Sequence, residues 1–451
     1  MTPTDPYHLS ARRLLALALL ALSLRLAWAA LVPVVPVSDS HAYDTFAGNI
    51  ASGVGMAWEP GRPTAYWPVG TPAAYALLYT IFGHTYTPIL ALNAILGCAI
   101  TLLAAMLGAR WFGRDAGTWA GVFTACWPWQ IQFTTILASE LQFTFLVLLG
   151  TWLWIVLRDA AVHRPHSVRL HLLRTVAAGL VFGLGTLVRP TALLLPIVLG
   201  GIEFLTLRHR LRTTVVTGVT LAVLLATISP WALRNSRLYG ELVLVSTNGG
   251  VNLWMGNNPD TTGAYQKELE AAPGMNEAAW NRMHKEQAVA FIKQDPLAFV
   301  KRSIIKAVRL HDRETIGVAW NKEGLALARP DLFAPTGEGE SALAFDQRRA
   351  TKILKLVSSA YWYAILSIAF AGILLLPWRS QFWLVLNHPA LVLWAYFTAV
   401  HAVIVVQDRY HFPSTPMVAT LAGLAAATGL ARLRRGRRPD GTDAQPSGAQ
   451  G

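Results

Sequence analysis

The sequence has few charged residues and almost no cysteine. Charged side chains make up 14% of the 451 residues, whereas soluble domains usually contain about 25%. Only two cysteines occur, Cys98 and Cys126, and both lie inside apolar stretches. They form neither a disulfide framework nor the spacing of a metal site, which favours small core residues of membrane helices.

The sequence also lacks the short motifs of many soluble enzymes. It contains no Walker loop, HExxH, GxSxG or CxxC pattern. The stretch "TNGGVNLWMGNNP" is rich in turn formers, but no strand–helix frame surrounds it, so it is not a dinucleotide fingerprint. A nucleotide-dependent activity therefore has no sequence support.

Long apolar runs dominate the chain instead. Hydrophobic residues make up 53% of the sequence, and several runs approach 18 residues or more, which predicts an all-α integral membrane protein. The first run continues past a signal-like "AWA", so we interpret it as an uncleaved helix whose Arg25 faces other helices. About ten transmembrane helices are predicted, over 12–35, 86–108, 115–134, 138–157, 174–188, 191–207, 213–231, 356–376, 382–405 and 411–431.

Polar stretches divide the chain into four predicted parts. These are an N-terminal transmembrane module at 1–231, an extracytoplasmic domain at 232–352, C-terminal transmembrane helices at 353–435 and a disordered cytoplasmic tail at 436–451. The first module contains an amphipathic, helical external loop at 36–85. The extracytoplasmic domain is predicted to be mixed α/β, because "ELVLVSTNGG" is typical of a strand and turns. Its basic amphipathic helix after Pro296 either lies on the membrane surface or packs on its own domain.

The distribution of arginine predicts the topology. The net charge is +13, but the basic residues form short clusters between apolar runs, which is typical of topology signals and not of nucleic-acid binding. With the N-terminus in the cytoplasm, every arginine-rich short connection falls on one side. The opposite side receives the 36–85 loop, the hairpin tip near Glu140, the turn at Arg189 and "QDRYHFP".

The segment "SDSHAYD" places an acidic pair directly after the first helix. Asp39 is either a general base at the membrane–water boundary or the N-cap of the helix that follows. His41 and Tyr43 accompany it as candidate substrate-binding residues. Asp44 lies about 500° further around a helix, so we interpret it as structural.

Further candidates fall on the same predicted side. Glu140, near membrane depth, could be a second acid or could bind a sugar or a metal. Arginine offers paired donors to phosphate, which makes Arg189, Arg409 and Arg234 candidate phosphate ligands. The aromatic, proline-broken stretch 64–83 predicts an interfacial helix, which is either a plain aromatic belt or a loop that closes over a lipid-linked substrate. Its neighbourhood supplies three more candidates: Trp67, Glu59 and Arg62.

These stretches resemble the GT-C class of membrane glycosyltransferases. "SDSHAYDTFAGNIASG", "YWPVGTPAAYALLYTIFG", "GLVRPTALLLP" and "DRYHFPSTP" are similar, in this order, to segments of bacterial family 39 proteins. That family includes relatives of protein O-mannosyltransferases and of the lipid A aminoarabinose transferase. Many relatives follow the first Asp with Glu, whereas this chain has Ser40, and the aminoarabinose transferase has a lysine where the nearest basic residue here is Arg62.

The resemblance implies sugar transfer in a bacterial inner membrane, with the active site on the extracytoplasmic side. The donor would be a polyprenyl-phosphate-linked sugar, and the acceptor a glycolipid, a glycan or a protein. Asp39 would deprotonate the acceptor hydroxyl, which attacks the anomeric carbon with inversion. Arg189 and Arg409, with Arg62 and Arg234 as further candidates, would hold the donor phosphate.

The residues leave a divalent metal as an open question and require no other cofactor. Two other readings also stay open. One is a multi-span lipid or solute transporter or flippase, although no internal repeat is evident. The other is a non-catalytic scaffold in envelope assembly.

Overall fold

The structure is a computed structural model that describes residues 7–163, 168–206, 210–266, 269, 271–333 and 348–436. Every regular element in these ranges is helical. The α-helices are α1 (Ala11–Leu31), α2 (Asp39–Ala51), α3 (Gly70–Phe82), α4 (Thr87–Phe112), α5 (Arg114–Ala125), α6 (Pro128–Gln132), α7 (Glu140–His163), α8 (Val168–Val188), α9 (Leu195–Thr206), α10 (Arg210–Tyr239), α11 (Gly249–Met255), α12 (Glu277–Gln294), α13 (Pro296–Leu310), α14 (Ile316–Trp320), α15 (Lys322–Ala328), α16 (Pro330–Phe333), α17 (Arg349–Leu374), α18 (Trp378–Leu386), α19 (Pro389–Val403) and α20 (Thr415–Gly436). Short 3-10 helices cover Phe133–Thr135, Pro190–Leu194 and Asp408–Ser414.

Apolar helices of membrane-spanning length confirm the all-α membrane architecture. In the described residues six segments qualify: Ala11–Leu31, Thr87–Phe112, Arg169–Val188, Arg210–Tyr239, Arg349–Leu374 and Asp408–Arg434. The pair α18 and α19, bent by 50°, makes a seventh if counted as one span. The predicted number, about ten, also includes the shorter apolar helices Glu140–Val156 and Pro190–Thr206 and the 12-residue α5. A straight crossing needs about 20 residues, so these three fall short on length.

Small residues allow the helices of the bundle to pack closely. A Cβ at Gly372 would lie 2.0 Å from the Leu421 carbonyl oxygen, so α17 and α20 touch through backbone.

Arg25 is fully buried and donates to the carbonyl oxygens of Ala21 and Ala125. Its side chain occupies space left by Gly97. This agrees with the prediction that Arg25 faces other helices and not lipid.

The segment between α10 and α17 differs from the predicted α/β domain. Its described residues form the helices α11 to α16 and contain no strand. The stretch predicted as a strand runs alongside the end of α10, where Trp231 Nε1 donates to the Val245 carbonyl over 2.7 Å. Thr247 N donates to the Ala65 carbonyl over 2.9 Å. Contacts with a helix and a loop thus replace the partner strand that a sheet requires. Residues 334–347 and the predicted tail from 437 lie outside the described residues.

The basic helix α13 presents its apolar residues outward. Leu297, Val300, Ile304 and Val308 are between 50% and 79% exposed, at the spacing of one helix face. Lys306, by contrast, is buried and its Nζ donates to the carbonyls of Gly256, Val403 and Ile404 at 3.0 Å. An outward apolar face favours the membrane-surface position over packing on its own domain.

Candidate active site

A tight turn at Ser38 places Asp39 at the end of the helical bundle. Ser38 has φ 52° and ψ −128°, and Ser40 N donates to the Val37 carbonyl over 3.0 Å. This positive φ is uncommon for a residue other than glycine. α2 begins directly afterwards at Asp39, and the N-cap side chain makes no capping bond. The carboxylate of Asp39 instead pairs with Arg409, whose Nη1 lies 2.7 Å from Oδ2. The capping alternative is therefore not what the structure shows.

The short helix Asp408–Ser414 positions Arg409 from the opposite wall. Arg409 Nε donates to Gln407 Oε1 over 2.7 Å. Its guanidinium carbon lies 4.6 Å from the ring centre of Trp320 and 5.2 Å from that of Tyr410. A guanidinium between two rings retains few orientations, which preorganises its charge.

A second arginine approaches from the break after α8. Arg189 precedes Pro190 and is extended, as residues before proline usually are. Its Nε donates to Ser139 Oγ over 2.8 Å, and its Nη2 pairs with Glu140 Oε1. Glu140 is 1% exposed, and its Oε1 lies 3.9 Å from Arg409 Nη1. Two guanidinium groups and two carboxylates thus form one connected group with no net charge.

The two arginines and Asp39 line a cavity of about 130 Å³. Tyr43 also lines it, and burial together with the Asp39 charge raises the pKa of Tyr43 to about 12, so its hydroxyl keeps its proton at neutral pH. The complete lining is Asp39, Tyr43, Pro68, Ser139, Val188, Arg189, Pro190, Thr191, Asn248, Asn252, His401, Ile404, Val405, Arg409 and Tyr410. A polar cavity with fixed cations can bind an anionic ligand.

Several residues predicted for the site lie outside this cavity. His41 is exposed on the outer face of α2. Glu59 and Arg62 are exposed and pair with each other over 3.4 Å. Arg234 donates to the backbone carbonyls of Thr64 and Met56, so its guanidinium is bound to the first loop. Trp67 packs against the rings of Phe46 and Trp58, with 5.6 and 5.5 Å between the ring centres. For the four residues close to Asp39 in the sequence, this proximity was a poor guide, because α2 and the loop after it turn their side chains away from the cavity.

Sequence reasoning missed six polar residues of the lining. These are Ser139, Thr191, Asn248, Asn252, His401 and Tyr410. Asn248 and Asn252 belong to the stretch that was interpreted as turns, but Gly249–Met255 is a helical turn with Asn248 at its N-cap. Two amides four residues apart then share one face. Their spacing was the signal that could have identified them.

A buried polar network supports the helix that carries Arg409. Asp408 Oδ2 accepts from Thr315 N, Thr315 Oγ1 and Ile316 N, at 2.8 to 3.1 Å. Glu314 is fully buried, accepts from Trp127 Nε1 at 2.9 Å and lies 3.2 Å from His411 Nε2. Burial raises the pKa of Glu314, although the hydrogen bond with His411 opposes that effect.

Asp44 holds the first loop together. It accepts hydrogen bonds from Tyr79 at 2.5 Å and Tyr86 at 3.0 Å, and its Oδ1 lies 2.9 Å from His84 Nε2. These partners come from α3 and from the connection to α4. Asp44 thus fixes α2, and with it Asp39, on its neighbours, which agrees with the predicted structural role. Across the described chain, no group of three or more His, Cys, Asp or Glu residues is arranged to hold a metal ion.

Comparison with known proteins places this geometry in context. The sequence profile of the dolichyl-phosphate-mannose-protein mannosyltransferase family matches residues 67–233. A search of curated proteins finds no significant match. Among solved structures, the chain is similar to the oligosaccharyltransferase AglB from Archaeoglobus fulgidus in complex with an inhibitory peptide and a dolichol-phosphate. The TM-score is 0.57 at 15% identity, over 94% of this chain and 51% of that one.

Two further structures extend the comparison. The A. fulgidus enzyme in complex with zinc and sulfate gives a TM-score of 0.57 at 17% identity, covering 94% of this chain and 50% of the other. ArnT from Cupriavidus metallidurans bound to undecaprenyl phosphate gives 0.45 at 14% identity, covering 92% and 78%. The chain spans about half the length of the archaeal structures it matches. The family match and the shared fold confirm the resemblance to GT-C glycosyltransferases.

Proposed function

Since this chain has a GT-C glycosyltransferase fold and a mannosyltransferase-family segment, we propose that it is an inverting glycosyltransferase. It moves a sugar from a polyprenyl-phosphate donor to a hydroxyl of a lipid, glycan or protein acceptor. The observation that carries this proposal is the Asp39–Arg409 pair at 2.7 Å, beside Arg189 in one polar cavity. A base and two cations are thereby held where a hydroxyl and a phosphate can meet.

The family profile and the archaeal structure support the choice of donor. The profile describes enzymes that use dolichyl-phosphate mannose, and the archaeal structure holds a dolichol-phosphate. Both lipids carry a phosphate on a long apolar chain. The cavity here offers Arg189 and Arg409 to such a phosphate, at the end of a bundle of apolar helices.

Asp39 takes the proton of the acceptor hydroxyl in the proposed reaction. The acceptor oxygen forms a bond to the anomeric carbon while the bond from that carbon to the phosphate oxygen breaks. The donor phosphodiester carries one negative charge, and the departing polyprenyl phosphate carries two. Protonation of Asp39 removes one negative charge beside Arg409 in the same step. The guanidinium thus loses its carboxylate partner as the leaving group gains charge, which stabilises the transition state.

Glu140 and Tyr43 have supporting parts in this proposal. Glu140 orients Arg189, and its second oxygen, Oε2, has no hydrogen-bond partner among the described residues. Tyr43 offers a neutral hydroxyl to the substrate. His41, Glu59, Arg62, Trp67 and Arg234 are left out, because they lie outside the cavity.

The placement of arginines supports a site on the extracytoplasmic side of a bacterial inner membrane. Counting α5, α7 and α9 as crossings gives ten spans, with both ends of the described chain on one side. The end of the bundle opposite Asp39 then carries the basic residues Arg110, Arg114, Arg210, Arg212, Arg379, Arg432 and Arg434. Positive residues favour the cytoplasmic side. We retain the division into a transmembrane module at 1–231, an extracytoplasmic segment at 232–352 and C-terminal helices at 353–435.

The proposal is tested by Asp39→Asn. Mass spectrometry of envelope lipids and glycans, with and without the gene, identifies the transferred sugar as a mass difference. The purified variant should then lose about 10²- to 10⁴-fold in turnover, the usual contribution of a general base. It should still bind polyprenyl phosphate.

Glu59→Gln is the control, because Glu59 is an exposed acid of the same loop. It should keep full turnover. An Asp39→Asn variant that restores the mass difference completely in cells would overturn the assignment and favour the transporter alternative.

A further inference from the structure

The lining of the cavity also includes four polar side chains that carry no charge: Asn248, Asn252, His401 and Thr191. The proposed reaction gives them no part. We propose that these residues form the subsite for the hydroxyl groups of the transferred sugar, with Asn252 and His401 as its main hydrogen-bonding groups. This inference rests on the proposed function and names the part of the donor that those residues recognise.

The amide of Asn252 has no hydrogen-bond partner within the described part of the chain, although its backbone is fully engaged. Its carbonyl oxygen accepts from Val405 N over 3.0 Å, and its N–H bonds to the Asn248 carbonyl over 2.9 Å. The backbone is therefore fixed while the side chain faces the cavity. A carboxamide donates and accepts at once, which matches the hydroxyl groups of a sugar.

His401 supplies a second polar group from α19. It is 6% exposed, and its Nδ1 lacks a hydrogen-bond partner within the ranges described. Its ring lies against that of Tyr410, with 4.5 Å between the centres and 13° between the planes. A buried polar atom without a partner is costly unless a ligand satisfies it.

The two walls of this subsite are joined to each other. The Val405–Asn252 backbone bond connects the end of α19 to α11. Asn257 Nδ2 and Lys306 Nζ both bond to the Val403 carbonyl, at 2.7 and 3.0 Å. Asn252 and His401 are thus held at a fixed separation. A rigid pair of hydrogen-bonding groups can discriminate between sugars that differ in the position of one hydroxyl.

The composition of the lining fits a phosphosugar. Arg189 and Arg409 would hold the phosphate, and the sugar is attached directly to it. The uncharged polar residues line the same cavity as both arginines. A neutral, hydroxyl-rich group extending from the phosphate would therefore meet Asn252 and His401. A bare polyprenyl phosphate would leave them unused.

Binding measurements in nanodiscs test the subsite. The probes are polyprenyl phosphate and a panel of polyprenyl-phosphate-linked hexoses and pentoses, beginning with mannose. At least one sugar-bearing lipid should bind more tightly than polyprenyl phosphate. Asn252→Ala and His401→Phe should each weaken the binding of that lipid about 5- to 30-fold, because each variant loses a hydrogen bond in a buried site. The affinity for polyprenyl phosphate should change less than twofold.

The choice of variants separates recognition from folding. His401→Phe keeps a ring against Tyr410 but removes the nitrogen atoms. Asn387→Ala is the matched control, because that amide only bonds to the Trp383 carbonyl of its own helix. Asn387→Ala should change neither the affinity for polyprenyl phosphate nor the affinity for the sugar-bearing lipid.

Three results are distinguishable. Equal weakening of both lipids by Asn252→Ala and His401→Phe, or no weakening at all, overturns the subsite. No gain in affinity from any sugar in the panel also overturns it. Failure of the wild-type protein to bind polyprenyl phosphate at all counts against the proposed function itself.

Discussion

The residue Ser38 stores backbone strain next to the proposed base. Its φ of 52° belongs to a region that glycine occupies at no steric cost. Its side chain is exposed, so a substitution there changes little packing. The strain is maintained because Asp39 is anchored by Arg409 on one side and α2 by Asp44 on the other.

Replacing Ser38 tests this strain. Ser38→Gly should raise stability by about 1 kcal/mol, part of the usual cost of such a conformation. Ser38→Val should lower both stability and turnover, because a branched side chain resists positive φ. Thermal unfolding in detergent gives the stability order. Equal melting temperatures for all three proteins would contradict a strained turn.

Arg189 and Glu140 form a buried pair in which each residue depends on the other. Removing one partner of such a pair costs about 3–5 kcal/mol, because the remaining charge is left buried alone. Arg189→Gln should therefore lower the melting temperature strongly. The double variant Arg189→Gln with Glu140→Gln should recover most of the lost melting temperature, because neither charge of the pair remains.

Binding separates the two roles of Arg189. The stable double variant should still bind polyprenyl phosphate at least tenfold more weakly than wild type, because one phosphate ligand is lost. Glu140→Gln alone should bind it normally. A double variant with wild-type affinity would show that Arg189 only balances Glu140.

Single residues of the site were predictable only where their chemistry was unusual for their surroundings. Four of the site residues are charged and lie at the ends of apolar helices, so hydropathy alone identifies them: Asp39, Glu140, Arg189 and Arg409. Asn252 and His401 were missed, because neutral polar residues near helix ends are common. Their grouping results from the contact between α11 and the end of α19, which no local pattern reveals.

At the scale of elements, the segment after α13 packs against α17 and α19 through His311. The Nε2 atom of His311 lies 3.1 Å from Thr398 Oγ1 and accepts from Trp394 Nε1 over 3.4 Å. The backbone carbonyl of His311 accepts from Trp362 Nε1 over 2.8 Å. Burial, with a smaller effect of nearby His411, lowers the pKa of His311 to about 3. The imidazole is therefore neutral in the folded protein at physiological pH.

This low pKa predicts a loss of stability in mild acid. The unfolded chain binds a proton at His311 below about pH 6.5, whereas the folded chain does not until about pH 3. Stability should therefore decrease as the pH falls from 6.5 toward 3, by about 2 kcal/mol at pH 5. His311→Phe should lose this part of the pH dependence. His41→Gln, at an exposed histidine, should retain it in melting curves measured from pH 5 to 7.5.

Elements were predicted well where length and hydropathy agreed and poorly where the chain is irregular. α1, α4 and α10 each contain a long, strongly apolar window, so their existence follows from the sequence. The stretch 241–246 has the β-branched residues of a strand, but the carbonyl of Val245 accepts from Trp231 and Asn235 near the end of α10 and not from a partner strand. Helix breaks at Pro128 and Pro389 divide the predicted spans 115–134 and 382–405 into shorter helices, whereas the break at Pro190 agrees with the prediction.

At the scale of the whole molecule, one arrangement of the chain explains both the arginine pattern and the site. In the proposed ten-span topology, the basic connections lie at one end of the bundle, and the cavity with Asp39 lies at the other. A polyprenyl phosphate places its phosphate at the membrane surface and its chain in the lipid. α13 contacts the end of α19 through its buried Lys306, and its outward apolar face favours an element that rests on that surface.

Cysteine labelling tests this orientation directly. His41→Cys introduces a thiol at the Asp39 end, and Arg379→Cys introduces one at the opposite end; both positions are exposed. A membrane-impermeant maleimide should label His41→Cys in spheroplasts and Arg379→Cys only after the membrane is permeabilised. The wild-type protein should label weakly throughout, because Cys98 and Cys126 lie among apolar helices. Labelling of Arg379→Cys in intact spheroplasts would invert the topology, and the proposed donor would then have to be reached from the cytoplasm.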